Sequence, residues 1–145
     1  PHDFAHLVGY VNQQPEGFFV ADTVLDELVY GAEQLGLSVK QIDENLKRIV
    51  EVLEIQNLLD RELSTLSSGQ QQRVAIARAV ILRPKILLAD ELTGNLDSAN
   101  SAMVVDLLVK LNKATGVSVL MVTHDQELAK KMHRVMIMKD GVFVG

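Results

Sequence analysis

Two apolar runs of the chain end in residues that could bind a metal ion or move a proton. "KILLAD" ends in Asp90 and is followed by Glu91, and "VSVLMVTHD" carries His124 near its end. Continuous apolar runs predict buried parallel strands, and ligands of open parallel sheets bind just outside the carboxyl ends of the strands. There, one carboxylate can hold Mg²⁺ while the other accepts a proton from water. The alternatives are a helix cap or solvated turn for the carboxylates and a structural role for the histidine.

A serine-glycine turn opens a third segment, "LSTLSSGQQQRVAIARAV". The first N–H groups of a helix have no intrahelical acceptor and carry partial positive charge, so they can bind phosphate oxygens. Gly69 would let a ligand approach the backbone closely, and Ser67 and Gln70 can donate hydrogen bonds. The alternative is an ordinary serine cap on an amphipathic helix.

The first half of the chain is predicted to be mostly helical, after a short strand at "HLVGYV" and a polar loop at 12–17. One helix is expected to begin at Asp22 or Thr23 and to close near Gly36, and the next to begin at Ser38. The second of these helices has one apolar stripe, formed by Ile42, Leu46, Ile49 and Leu53.

The second half is predicted to alternate strand and helix, which is typical of α/β proteins. The helix after the serine-glycine turn is expected to stop at Arg83-Pro84, because proline disfavours a helical residue before it. A further helix is expected from about Ser98 to Thr115, stopped by Gly116. Its buried face would consist of Met103, Leu107, Leu108 and Leu111. A short helix, "QELAKKMH", and a hairpin turned at Asp140-Gly141 follow the second apolar run.

Composition indicates a globular chain of 145 residues, with 48% hydrophobic and 23% charged residues. The net charge of -5 argues against non-specific binding to nucleic acid. Without cysteine the chain has no disulfide or thiolate metal site, and no apolar run reaches the roughly eighteen residues of a membrane span. No signal peptide is recognised, and the protein is expected to be soluble and cytosolic.

Four motifs in order give the chain a close resemblance to the nucleotide-binding subunits of ABC transporters. "LSSGQQQRVAIARAV" resembles their signature motif, and "PKILLADELTGNLD" resembles the Walker B strand with its acidic pair and D-loop. "VLMVTHD" resembles the switch-histidine segment, and "VGYVNQQPEGFFVADTVLDEL" resembles the Q-loop. The resemblance covers essentially the whole chain.

This resemblance implies an α/β fold, a partial P-loop NTPase core with a mostly parallel sheet plus an α-helical subdomain. Residues 1–22 would form the Q-loop strand and loop, and residues 23–83 the helical subdomain with the signature motif. Residues 84–145 would form the half of the catalytic core that holds Walker B, the D-loop and the switch histidine.

The resemblance also implies roles for individual residues at an ATP and Mg²⁺ site. Gln13 would reach the Mg²⁺ and the attacking water, and Asp90 would hold the Mg²⁺. Glu91 would be the general base, and His124 would contact the γ-phosphate. The nucleotide of a second subunit would be contacted by the signature residues Ser67, Ser68, Gly69 and Gln70. Asp97 would link the two active sites.

The family further implies partners and a location. Such subunits form head-to-tail dimers with two ATP molecules between them, and they dock on transmembrane domains through the helical region near the Q-loop, here Thr23 to Leu59. The protein would then be cytoplasmic and peripheral on the cytoplasmic face of a membrane. No nucleic-acid partner is expected.

One part of the family's pattern is missing. Phosphate binding depends on a P-loop, G-x-x-x-x-G-K-[ST], yet none of the nine glycines is followed by lysine. We interpret the sequence as the carboxyl-terminal part of an ATPase subunit, which by itself neither binds ATP tightly nor hydrolyses it. Its sheet is expected to expose apolar surface and to favour association. The alternative function is a non-catalytic module that docks on a partner chain.

Smaller differences concern Ser68, where the signature has its first glycine, and Leu92, where a proline follows the acidic pair. "TGNLD" resembles the D-loop of lipoprotein and macrolide exporters, whereas the Q-loop region resembles importers of metals and vitamins, so no substrate is named. DNA-repair and chromosome ATPases also carry a signature motif. They have a long coiled coil between Q-loop and signature, for which the chain between Gln13 and Ser67 is too short.

Overall fold

Three parallel strands form the main sheet of the molecule, which a computed structural model describes over residues 7–145. The strands are β1 (Val8–Asn12), β2 (Ile86–Asp90) and β3 (Ser118–Val122), in the order β1-β2-β3. Their last residues, Asn12, Asp90 and Val122, are paired side by side. The segments that follow the three strands therefore emerge together, at what we term the carboxyl edge of the sheet. His6, in the predicted first strand, lies outside the described residues.

The remaining elements are helices and one small hairpin. The helices are α1 (Val24–Gln34), α2 (Val39–Leu53), α3 (Ser68–Val80), α4 (Ser98–Thr115) and α5 (Gln126–Ala129). Short 3₁₀ turns lie at Pro15–Phe18, Gln56–Leu58 and Leu63–Thr65, and the hairpin consists of β4 (Met138–Lys139) and β5 (Val142–Phe143). Helices α1, α2 and α3 pack against one another, and α3 also packs on β1 and α4. The prediction of an α/β chain with a parallel sheet and added helices is confirmed.

Polar caps fix the starts of the helices where the sequence predicts them. The Thr23 hydroxyl accepts the N–H of Asp26 at 3.2 Å, and Ser38 forms a reciprocal capping box with Gln41. Gly116, at φ +76°, ends α4 as expected. The two turn residues Asp140 and Gly141 both have positive φ, which is the geometry of a type I′ hairpin turn.

Helix α3 ends earlier than expected, at Val80 rather than at Arg83-Pro84. The chain leaves the helix through a turn in which the N–H of Arg83 donates to the Val80 carbonyl and Arg83 itself adopts φ 54°. Asn45 of α2 donates its side-chain amide to the Ile81 carbonyl at 2.7 Å. This bond satisfies a carbonyl that the end of the helix leaves free, so a neighbouring helix rather than the proline alone sets the boundary.

The buried face of α4 differs from the predicted face at one position near the start of the helix. Met103 is 37% exposed, whereas Val104, Leu107, Leu108 and Leu111 are buried. Counted from Val104, these residues follow the i, i+3, i+4, i+7 spacing of one helical face. Met103 lies about 100° around the helix from Val104, and its inclusion in the buried face was wrong.

The strands of the sheet are buried on one face only within residues 7–145. Leu87 and Ala89 of β2 are fully buried in the core that α3 and α4 share, so the predicted burial of β2 is confirmed for this face. The opposite face holds the paired row Tyr10, Leu88 and Leu120, of which Leu120 is 57% exposed. The prediction that "VSVLMVTHD" forms a buried strand was therefore wrong for β3, because no described helix covers this second face, whereas the exposed row agrees with the expected apolar surface of the sheet.

None of the helices in the described part of the chain is long and apolar enough to cross a bilayer.

The open sheet face is expected to make the 145-residue chain associate with itself, because contiguous exposed apolar surface is unstable in water. Replacing Leu120→Lys should shift the chain towards monomer in sedimentation velocity, since the change places a charge in the exposed row. Val39→Lys is the control, because Val39 is also apolar and is even more exposed, at 84%, but lies on α2. A sharp, compact monomer of the unmodified chain would contradict this expectation.

Candidate functional site

The acidic pair lies where β2 leaves the sheet. Asp90 is the last residue of β2, and Glu91 follows with φ 55°, a left-handed conformation that glutamate rarely adopts. The N–H of Glu91 donates to the Val122 carbonyl of β3 at 2.9 Å, which holds the turn against the neighbouring strand. Holding a residue in such a conformation costs of order 1–3 kcal/mol. The backbone therefore directs the Glu91 side chain at a local energetic cost.

His124 lies beside Glu91, as the aligned strand ends predict. Its Nε2 is 3.0 Å from Glu91 Oε1, and the two side chains line an open groove of about 610 Å³ together with Thr93, Gly94 and Asp125. The His124 side chain is 94% exposed and that of Glu91 31%, so this contact adds little stability. Its consequence is positional, because it places a proton donor next to a carboxylate that faces solvent.

Tyr10 contacts the other member of the acidic pair, which the sequence did not indicate. Its hydroxyl donates to Asp90 Oδ2 at 3.1 Å. The hydrogen bond to Asp90, helped by partial burial and by the carboxylate charge, raises the pKa of Tyr10 above its ordinary value of 10.0. The only available signal was the register, because Tyr10 lies two residues before the end of β1 on the same face as Asp90.

Gln13 follows β1 and lies across from the acidic pair. A second groove, of about 230 Å³, is lined by Gln13, Asp90 and Glu91 together with Tyr10, Asn12 and Gln14. The Gln13 side chain lies directly over Gly94, where any Cβ atom would collide with its amide oxygen. Asn95 donates its amide to the Gln13 carbonyl at 3.1 Å. The loop after β1 and the loop after β2 are thus packed on one another.

The donors in this second groove fit a hard cation such as Mg²⁺. Asp90 and Gln13 offer oxygen atoms, and Mg²⁺ is commonly bound by one or two carboxylates plus substrate phosphates. Residues 7–145 contain no group of three or more His, Cys, Asp or Glu side chains that could hold a metal by themselves. A cation at this position would therefore need oxygen ligands from a substrate.

The serine-glycine turn forms the ordinary cap that was the alternative to an anion site. Ser67 Oγ accepts the N–H of Gln70 at 3.2 Å, and Gln70 Oε1 accepts the N–H of Ser67 at 3.0 Å. Ser67 and Ser68 nevertheless remain exposed, whereas Gly69 is buried. The cap and an exposed binding surface are compatible, since the capping box uses the N–H of Gln70 and not those of Ser68 and Gly69.

Asn100 connects the serine-glycine turn to Asp97. Asp97 caps α4 by accepting the N–H of Asn100 at 2.8 Å and its side-chain amide at 3.2 Å. A Cβ atom on Gly69 would lie 3.1 Å from Asn100 Oδ1, so only glycine leaves this contact relaxed. The predicted site residues therefore form two groups, one at the carboxyl edge and one around Asn100.

Two buried polar side chains form hydrogen bonds to the segments that follow β1 and β2, and the sequence analysis identified neither side chain. Gln72 of α3 is 1% exposed and donates its amide to the carbonyls of Asn12 at 3.1 Å and Leu92 at 2.6 Å. Within residues 7–145 its Oε1 atom has no hydrogen-bond partner, which costs about 1–3 kcal/mol for a buried acceptor. A glutamine three residues after Gly69 and four before Ile76, on the buried face of α3, was the available signal.

Glu27 of α1 is the second of these side chains and is 2% exposed. Its Oε1 accepts the N–H groups of Val20 and Ala21 at 2.6 and 3.0 Å, and its Oε2 lies 3.3 Å from Arg78 of α3. The Arg78 guanidinium also lies 5.5 Å from the centre of the Phe19 ring. The segment that follows Gln13 is thus tied to two helices at once.

Comparison with known proteins decides the family. A family model described as "ABC transporter" matches residues 2–94, a stretch that includes the Gln13 loop, the serine-glycine turn and the acidic pair. The chain belongs to the ABC transporter family. For this ABC chain, the resemblance to the nucleotide-binding subunits of ABC transporters and the predicted fold class are confirmed.

The relatives of this ABC chain are ATP-binding subunits. The lipoprotein-releasing system ATP-binding protein LolD of Aquifex aeolicus is 44% identical over 123 residues, which are 85% of this chain and 54% of that protein. The structure of cbiO1 from Clostridium perfringens, part of the ABC transporter complex cbiONQ, matches with a TM-score of 0.91 and 29% identity, over 98% of this chain and 57% of that chain. The ATP-binding cassette MJ0796, a dimer in a post-hydrolysis state with ADP and Pi, matches with a TM-score of 0.76 and 32% identity, over 97% and 62%.

This ABC chain spans about half the length of the curated relatives it matches, between 50% and 54%. The P-loop sequence typical of the family does not occur in its 145 residues.

The Tyr10–Asp90 contact makes Tyr10 a spectroscopic probe of the acidic pair in this ABC chain. In a Tyr30→Phe background Tyr10 is the single tyrosine, and its ultraviolet titration should lie above pH 10.0. The raised pKa means that the contact stabilises the fold below pH 10 and that this stabilisation is lost as pH rises through the Tyr10 pKa. Asp90→Asn should move the titration back towards pH 10, because a neutral amide disfavours the phenolate less.

Asp106→Asn is the matched control for Asp90→Asn, because Asp106 lies on α4 and pairs with Lys131 instead. A titration that is unchanged by Asp90→Asn would exclude the contact.

Proposed function

We propose that this chain carries the water-activating and partner-facing residues of an ATP-binding cassette, which hydrolyses ATP to power transport across a membrane. The family is one of ATPases. The observation that carries the proposal is the 3.0 Å contact between Glu91 and His124, beside Asp90 and across from Gln13. A carboxylate pair, an imidazole and an amide converge there on one sheet edge.

In this proposal each group at the carboxyl edge has one task. Asp90 and the Gln13 amide oxygen would hold Mg²⁺, which when bound would neutralise charge on the phosphate oxygens of ATP. The Glu91 carboxylate accepts a proton from the attacking water, and its left-handed backbone keeps it at the mouth of the groove. His124 lies within hydrogen-bond distance of Glu91, so it can orient that carboxylate and contact the γ-phosphate.

The second group of residues would face a second cassette. Ser67, Ser68, Gly69 and Gln70 form the first turn of α3, where N–H groups favour an anion. Asp97 is joined to this turn through Asn100. MJ0796, which matches 97% of this chain, is a dimer bound to ADP and Pi. We therefore propose a head-to-tail dimer with ATP between the two cassettes.

The 145-residue chain by itself is proposed to be inactive. Phosphoryl transfer depends mostly on positioning and on charge stabilisation, for which the P-loop backbone and lysine are needed. The described grooves offer carboxylates, amides and an imidazole, but these 145 residues contain no P-loop lysine. The chain would then act only together with a P-loop segment.

A hybrid protein tests this division of labour. The residues of this chain that match LolD of Aquifex aeolicus replace their counterparts in that protein. The hybrid should release phosphate from ATP, and Glu91→Gln should slow release by about 100-fold or more, because it removes the proton acceptor. The 145-residue chain alone should give neither phosphate release nor heat on titration with Mg²⁺-ATP.

Two controls accompany the hybrid. Glu44→Gln, an exposed carboxylate on α2, should leave phosphate release unchanged. If the isolated chain binds Mg²⁺-ATP tightly and loses the binding on Asp90→Ala, the inactivity proposal is wrong. A folded hybrid whose hydrolysis does not depend on Glu91 would refute the assignment of the general base.

A non-catalytic docking module is the second candidate. Either function needs a contact with a membrane partner, for which we propose a groove of about 440 Å³ beside the helical region of residues 23–83. Glu16, Asp22 and Glu62 give its rim negative charge, and Phe19 and Leu63 give it an apolar base. Cytoplasmic loops of membrane proteins carry an excess of lysine and arginine, which complements this rim. The chain would then be peripheral on the cytoplasmic face of the membrane.

Charge reversal in the hybrid tests this groove. Glu16→Lys with Glu62→Lys should lower the fraction of hybrid that sediments with membranes containing the Aquifex aeolicus lipoprotein-releasing system, because like charges then oppose each other. Asp106→Lys with Asp140→Lys reverses the same number of exposed charges outside residues 23–83 and should have no effect. Equal losses in both variants would refute the groove as the docking site.

A further inference from the structure

Gln72 connects three segments that sequence motifs treat as separate. It lies in α3, in the turn that follows Ser67–Gln70, and is almost fully buried. Its Nε2 donates to the Asn12 carbonyl at 3.1 Å and to the Leu92 carbonyl at 2.6 Å. Asn12 immediately precedes Gln13, and Leu92 immediately follows Glu91.

Both carbonyls lie where the regular sheet has ended. Asn12 is the last residue of β1, and Leu92 lies two residues beyond the end of β2, after the left-handed Glu91. The side chains of Gln13 and Glu91 face solvent at least in part, so packing alone does not hold them. The hydrogen bonds from Gln72 hold the backbone immediately before Gln13 and immediately after Glu91.

The cost of this arrangement falls on Gln72 itself. Its Oε1 is buried and has no hydrogen-bond partner among the described residues, which is unfavourable for an amide oxygen. An apolar side chain of similar volume would fill the same space without an unpaired acceptor. The amide group of Gln72 therefore donates hydrogen bonds to the two carbonyls although its own oxygen gains none among the described residues.

We infer that Gln72 is a positioning residue that sets the separation between Gln13 and Glu91 and couples it to the first turn of α3. This inference rests on the proposed function. When the first turn of α3 contacts the nucleotide of a second cassette, its displacement passes through the Gln72 amide to both loops. Water activation in one site thereby depends on contact with the other.

Amide hydrogen exchange in the 145-residue chain tests the coupling without nucleotide. Gln72→Met keeps the volume and removes both donors. The amides of Gly94, bonded to the Glu91 carbonyl, and Gln14, bonded to Asn12 Oδ1, should then exchange at least tenfold faster relative to the distant amide of Gly116. Ile76→Val, a buried change one turn along α3, should leave these ratios unchanged.

Gln72→Glu covers the case in which Gln72→Met does not fold. The carboxylate has the shape of the amide but no donor, whereas the protonated carboxyl regains one O–H donor. Protection of Gly94 and Gln14 relative to Gly116 should therefore recover as pH falls and the buried carboxyl protonates.

Unchanged ratios in the substituted chain, or equal changes at all amides, would overturn the inference even if the hybrid hydrolyses ATP. Conversely, an inactive hybrid would refute the proposed function while the exchange ratios still showed that Gln72 positions the two loops.

Discussion

The contact between Glu27 and Arg78 is the interaction on which the arrangement of the helices and the Gln13 loop depends. Glu27 is a buried carboxylate, and a buried charge is tolerated only when it is paired and hydrogen-bonded. Both its oxygens are used, one by the backbone of Val20 and Ala21 and the other by Arg78. Because Glu27 belongs to α1, Arg78 to α3, and Val20 and Ala21 to the loop that precedes α1, these three segments have one mutual placement that satisfies the carboxylate.

Helix α3 transmits that placement to the rest of the site. Its first turn carries the capping box of Ser67 and Gln70, its second turn holds Gln72, and its last turns hold Arg78. The same helix packs on β1 and α4, so it contacts the elements that precede Gln13 and follow Asp97. A single rigid element thus lies against the loops of both groups of site residues. Rigid secondary elements position functional side chains better than loops do.

The sequence was sufficient for features governed by local chemistry. The starts of α1 and α2, the whole of α4 and the Asp140-Gly141 turn follow from caps, glycine and periodicity. The meeting of Glu91 with His124 follows from the rule that parallel strands end together. The roles of these residues, the division at 23–83 and the membrane partner remain proposals.

The features that the sequence did not predict depend on partners far along the chain. The contact of Tyr10 with Asp90 requires the strand register, and the end of α3 at Val80 depends on Asn45 from another helix. Whether an apolar strand is covered on one face or two is a property of its neighbours, which explains the error at Leu120. Gln72 was missed because a polar residue in a helix is ordinarily assigned to the solvent face.

At position 91 the backbone and the side chain make opposite demands. The left-handed turn suits glycine or asparagine, so either would relax the chain there, whereas a β-branched residue would strain it further. Selection for stability alone would therefore move this position away from glutamate, and only selection on what the carboxylate does would retain it. In a survey of natural variants, the ratio of glutamate to glycine at this one position would separate lineages that keep the chemistry from those that keep only the fold.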